Sequence, residues 1–176
     1  GCTALVIGPD GKLYAGCDDG TIVRYVIQEN GTLHEDKVID SLPRRAGSPR
    51  LLVGLVFDPR STPEQPIAWV THNFCGFEDV PDFTGAVARL SGSDLQSVDD
   101  IITGLPRSTR DHATNQPAFG PDGALYIPQP SNTAFGAPDA YWGMRPERLL
   151  SASVLRLDPA KLTPGKPLDV RTRDAG

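Results

Sequence analysis

Along the chain, short apolar segments rich in β-branched and aromatic residues alternate with polar positions and stop at clusters of Gly, Pro and Asp. That pattern predicts many short strands and few helices. The clearest unit lies in the second half, where residues 116–120 and 124–128 flank Gly120-Pro121-Asp122-Gly123. Pro121 presets φ, Asp122 can bond its own backbone and Gly123 supplies a positive φ, so the two segments should form an antiparallel hairpin. The hairpin brings Asp111 and His112 back towards Ser131 and Asn132. A histidine beside an acid at a strand end is a place for a general base. On residue type alone, it is equally an ordinary surface histidine.

The hairpin is one copy of a repeat. Ile7-Gly-Pro-Asp-Gly-Lys-Leu-Tyr14 returns as Phe119-Gly-Pro-Asp-Gly-Ala-Leu-Tyr126, with a degraded copy at Val56-Phe-Asp-Pro59. Each is followed by an Arg-centred, β-branched segment, and Arg24, Arg89 and Arg156 are spaced by 65 and 67 residues. Leu33, Leu95 and Leu162 follow at similar offsets, and Lys37–Pro43 matches Asp100–Pro106. Each unit thus offers a strand ending at the turn, a second with Leu-Tyr, a third with Arg and a weaker fourth ending at Leu-Pro. Four antiparallel strands per repeat is a β-propeller blade.

The expected fold is all-β: a partial β-propeller domain over 1–176, about three four-stranded blades at 1–45, 46–107 and 108–176. Propellers close at roughly 4–8 blades, so the remaining blades of the parent chain are an expected partner. The fourth strand of the last unit is expected within Pro167–Arg173, and one or two helical turns at residues 145–151. The period is long for a propeller, and its excess lies in residues 71–85 and 129–152, between second and third strands. Such long excursions more often carry function than stand idle.

Composition narrows the classes. Gly 18 and Pro 17 suit a turn-rich chain, and a net charge of −5 with no basic block beyond Arg44-Arg45 argues against nucleic acid as a partner. No apolar run is long enough to suggest a membrane-spanning helix. The chain opens inside an apolar segment, as a fragment or processed product does. Of Cys2, Cys17 and Cys75, the pair Cys17–Cys75 could close in an oxidising compartment; three free thiols fit as well.

In a four-stranded blade, the entry to the first strand and the loop between the second and third strands share one end. Asp111, His112, Ser131, Asn132 and the 71–85 loop are therefore expected on one face, opposite the Gly-Pro-Asp-Gly turns, with the site near the axis. His112 opens its blade's innermost strand. His72 and Asn73 read as solvated loop groups and His34 as a surface residue. Glu78, Asp79, Asp82 and Asp18-Asp19 lack a spaced calcium-ligand loop and read as solvated acids, so no metal ligand is assigned. Phe135, Tyr141 and Trp142 are expected near the site, as stacking faces or as the long loop's own core. Nucleotide-binding loops, zinc-hydrolase motifs and nucleophile elbows are missing from the sequence.

Asp111-His112 ahead of the Phe-Gly-Pro-Asp-Gly-x-Leu-Tyr hairpin, Ser153-Val-Leu-Arg-Leu-Asp-Pro159 after a long loop, and Leu52-Val-Gly-Leu-Val-Phe-Asp-Pro59 together resemble the soluble glucose/sorbosone dehydrogenase family. The resemblance implies a six-bladed quinoprotein propeller, periplasmic or secreted. It implies pyrroloquinoline quinone as cofactor, calcium held outside this segment and a sugar (aldose) substrate. His112 would take the proton from the sugar C1 hydroxyl while hydride passes to the quinone, with Asp111, Ser131 and Asn132 at the cofactor pocket. Two positions depart from the family. Pro49 or Arg50 stands where a glutamine is expected, and Ser131 where an aspartate orients the base. A non-catalytic propeller serving as a binding module of a larger extracellular protein is the alternative. A gluconolactonase-like metal-dependent hydrolase would need a converging acidic ligand set that the sequence does not offer.

Overall fold

A computed structural model describes residues 1–171. Its strands are β1 (Cys2–Ile7), β2 (Leu13–Cys17), β3 (Ile22–Ile27), β4 (Leu33–Ile39), β5 (Arg50–Phe57), β6 (Ile67–Phe74), β7 (Gly85–Ser91), β8 (Ser97–Leu105), β9 (Ala118–Phe119), β10 (Leu125–Gln129), β11 (Ser153–Leu157) and β12 (Leu168–Asp169). They form three sheets, ordered β1-β2-β3-β4, β12-β8-β7-β6-β5 and β11-β10-β9. Every pairing is antiparallel except that of β12 with β8.

The sheets stack face to face over two apolar layers. Ala4, Ile22, Leu52, Val70 and Leu90 lie in the layer between the first and second sheets; Trp69, Val87, Leu125, Ile127 and Leu157 lie in that between the second and third. In the second sheet, alternation along the strands sends one set of side chains to each neighbour, as a blade between two blades requires. Strands β1, β5 and β9 form the inner edges. The inner edges of the second and third sheets touch at Gly54, where a Cβ would collide with Pro117 Cδ and the Gln116 backbone. Gln116 bridges the same gap: its Oε1 accepts from Leu55 N at 3.0 Å and its Nε2 donates to Leu55 O at 2.9 Å. One side-chain amide thus does the work of a ladder peptide between two blades.

The repeat is equally visible in side chains. Tyr14, Trp69 and Tyr126 on the second strands stand opposite Arg24, Arg89 and Arg156 on the third. Each aromatic donates to the turn aspartate of its own blade: Tyr14 to Asp10 at 3.1 Å, Trp69 to Asp58 at 3.0 Å and Tyr126 to Asp122 at 3.1 Å.

Several expectations are corrected. The fourth strand of the first blade stops at Ile39, and Ser41–Ala46 forms a short helix, α1, with Pro43 in its first turn. The segment expected to complete the third blade instead adds β12 to the outer edge of the second, pairing Leu168 with Ile102 in parallel; positions 172 and 173 lie outside the described residues. Leu162 and Val170 explain the detour, since it lets both pack on the second apolar layer. Residues 145–151 are not helical; Arg145, Glu147 and Arg148 brace neighbouring loops, and the excursion's one helical turn is a 3-10 turn at Ala140–Trp142. Among the described residues, no helix is long and apolar enough to cross a membrane.

Candidate functional site

Residues 75–84, 106–112 and 130–149 meet at the end of the sheets opposite the Gly-Pro-Asp-Gly turns, as Arg110 N donating to Phe77 O at 2.6 Å and Ser108 Oγ to Asn132 O at 3.0 Å attest. Three arginines hold this assembly together. Arg107 is fully buried and donates to the carbonyls of Ser108, Gly76 and Arg110 at 2.8, 3.1 and 2.7 Å. Burial, followed by the nearby Arg145 charge, pushes its guanidinium down to about 10. Arg145 reaches the carbonyls of Arg107 and Val80, and Arg148 pairs with Asp82 at 2.9 Å. Burial alone would raise the Glu147 carboxyl. Hydrogen bonds from Ser151, Thr133 and the Asn132 and Thr133 amides instead hold it below the usual range.

His112 sits on this platform. Its Nδ1 lies 2.8 Å from the Ser131 carbonyl oxygen. A carbonyl can only accept, so Nδ1 carries the proton and the lone pair of the neutral ring is on Nε2, which has no partner among the described residues. Trp142 stacks on the imidazole with centroids 3.6 Å apart and planes 16° apart, and Tyr141 meets Trp142 edge-on at 4.9 Å. Arg110, two residues before His112, holds a left-handed φ of 58°, sustained by its guanidinium lying 3.9 Å from the Tyr141 ring centre and by Nε donating to Tyr141 O. A cleft of about 240 Å³ opens beside Tyr141, lined by Phe77, Glu78, Asp79, Thr109 and Arg110.

The expected grouping of His112 with Ser131 is present, with the Ser131 backbone in contact; the Ser131 hydroxyl turns to Thr133 O. Asn132 is buried, its amide donating to Pro146 O at 3.0 Å, while the neighbouring Asp111 is exposed. Trp142 and Tyr141 lie where the sequence placed them, but Phe135 is fully in solvent. His72 and Asn73 are not solvated loop groups. They close β6 and are buried, because Asn73 pairs with both backbone groups of Thr114 and thereby seats the chain running down from His112. His72 Nδ1 accepts from Arg50 Nε at 3.0 Å, and burial, reinforced by that cation, pushes its imidazole down to about 3.

Arg50 itself opens the inner strand β5 and donates to Thr84 O at 2.8 Å; no carboxylate pairs with it among the described residues. Arg107, Gln116, Glu147 and the Arg50–His72 pair were not singled out by sequence reasoning. Apart from the bond between Glu147 and Ser151, their partners are backbone groups or residues distant in sequence, and no local spacing encodes those. Cys2, rather than Cys75, neighbours Cys17, with the two sulfurs 3.9 Å apart. Among the described residues, no three His, Cys, Asp or Glu side chains gather to hold a metal ion.

Stacked sheets of four, five and three strands, meeting at their inner edges and with long loops gathered at one end, define a segment of a β-propeller. A solved structure from Thermus thermophilus, an oxidoreductase assigned provisionally as a glucose dehydrogenase, aligns with 90% of this chain at 24% identity and a TM-score of 0.59. The chain spans 43% of that protein's length. Residues 4–25, most of the first three strands, match the N-terminal part of the strictosidine synthase-like family. No curated protein matches the sequence. These likenesses establish the propeller fold.

Proposed function

We propose that this chain is part of a propeller dehydrogenase that oxidises the C1 hydroxyl of an aldose, with His112 as the general base. The observation that carries the proposal is the fixed ring orientation, in which the Ser131 carbonyl holds the Nδ1 proton and leaves Nε2 as the proton acceptor. Trp142 fixes the ring plane, and its π-face favours the imidazolium formed as the proton arrives. The Ser131 carbonyl does part of what a carboxylate would, orienting the base without supplying a full charge. The cleft beside Tyr141 offers an aromatic face with Glu78, Asp79 and Arg110 around it, the mixture that sugars bind.

The residues present also fit pyrroloquinoline quinone. Arg50 is a cation without a carboxylate partner among the described residues, and it would pair with the quinone's own carboxylates. When bound, the quinone supplies the hydride acceptor. Loading the complete parent protein with the quinone and calcium, then following dye reduction over a panel of aldoses, tests the reading. Aldose-dependent turnover is expected. Failure to bind the quinone and to turn over any aldose would leave a non-catalytic binding propeller, the reading favoured by Ser131 and by the anchored amide of Asn132.

A further inference from the structure

The three cysteines gather at one corner of the fold, where the top of the first blade meets the second. Cys2 and Cys17 are directly opposite residues of β1 and β2, their sulfurs 3.9 Å apart, and the ladder is irregular between Cys2 and Ala4. Directly opposed antiparallel residues keep their Cα atoms at about 4.5–5.5 Å. That falls inside the roughly 4.4–6.8 Å range of disulfides, so side-chain rotation can bring the sulfurs to bonding distance, about 2.05 Å. Cys75 is differently placed: its thiol donates to the Asp18 carbonyl at 3.3 Å.

We propose that Cys2 and Cys17 form an intrachain disulfide in an oxidising compartment and that Cys75 remains a free thiol. The oxidant is a small-molecule disulfide such as oxidised glutathione. The thiolate of exposed Cys2 attacks one glutathione sulfur, breaking its S–S bond and expelling one glutathione thiolate. The Cys17 thiolate then attacks Cys2 Sγ and expels the second. Both protein thiols are oxidised to one S–S bond, their two protons pass to solvent or to the departing thiolates, and glutathione disulfide is reduced to two thiols. Burial, together with neighbouring Cys2, keeps the Cys17 thiol protonated to higher pH, so the second step should accelerate towards alkaline pH. The bond would tie the irregular end of the inner strand to its neighbour.

Equilibrating the native full-length protein with oxidised glutathione, alkylating residual thiols and mapping tryptic peptides tests the assignment. The peptide ending at Lys12 should be joined to Leu13–Arg24, with the alkyl label on Cys75. Cys75→Ser should cross-link equally well, and Cys2→Ser should leave Cys17 alkylated. A bridge between Cys17 and Cys75, or label on all three residues, would overturn the proposal.

Discussion

His112 and His72 show how one residue type is assigned opposite roles by its neighbours. Each ring is held through Nδ1, but His112 is held by a carbonyl acceptor and His72 by an arginine donor. In His72 the proton is therefore on Nε2, which is buried without a partner, and the ring stays neutral. The linkage has a definite sign. With a folded pKa of about 3 and an unfolded value near 6.5, the unfolded chain binds a proton that the native state refuses throughout that interval. The stability contributed by neutral His72 is fully present above pH about 6.5 and is lost as pH falls towards 3, by up to about 1.4 kcal/mol per pH unit. His72→Gln preserves an acceptor for Arg50 and cannot titrate. Urea unfolding between pH 4 and 7 should show a shallower acid slope in the variant, by about one proton. Equal slopes would mean that His72 is protonated in the native state.

At this scale the sequence was partly legible. The Asp111-His112 dipeptide and the hairpin offset placed His112 beside Ser131, because a turn of known type fixes which residues face each other. The identity of the contacting atom was not legible: a serine suggests its hydroxyl, whereas the strand end presents its carbonyl. His72 reads as a loop residue in the sequence, yet the second strand of its blade runs on to Phe74. Its polar residues are buried by partners in the third blade and the Arg50 guanidinium, which no window around position 72 contains.

Among the elements, the inner strands were legible from their turns and their contacts were not. Gly54 in Leu52-Val-Gly-Leu reads locally as a weakness in a strand, yet Pro117 and Gln116 of the next blade occupy the space a Cβ would need. Gly54→Ala should push β5 and the segment before β9 apart and strain the two Gln116 bonds to Leu55. The expected loss is about 1–3 kcal/mol in urea unfolding. An unchanged midpoint would show that this seam is loose. The third-strand arginines were found by spacing alone, and the structure adds the aromatic and aspartate that each repeat sets around them. The fourth strands were the least legible elements. They lie at the outer edge, where only one neighbour constrains them. α1 could therefore replace the end of one strand, and β12 could join another blade.

Over the whole molecule, three sheets with apolar residues on both faces leave two faces uncovered. Leu5 and Ile7 on β1, with Ile27 and Val38 further out, are exposed on the first blade, and Val154 is 66% exposed on the last. In a propeller such faces pack against neighbouring blades. Residues 1–176 expressed alone should therefore self-associate and bind an apolar dye, while the complete parent should do neither. A monodisperse, dye-silent monomer of the isolated segment would contradict that reading. The ring's incompleteness was legible from the repeat count, since three periods at this spacing fall short of closure.

The role proposed for His112, taking the substrate proton, is isolated by a single-turnover experiment. The complete parent and its His112→Asn variant would be loaded with quinone, mixed with excess aldose, and followed by the absorbance of the bound cofactor. Asparagine can still donate to the Ser131 carbonyl but offers no base. Unchanged quinone binding is expected, with reduction slowed by about 10²–10⁴-fold. Reduction at the parental rate in the variant would contradict that role and move the proton acceptor elsewhere on the loop-bearing face.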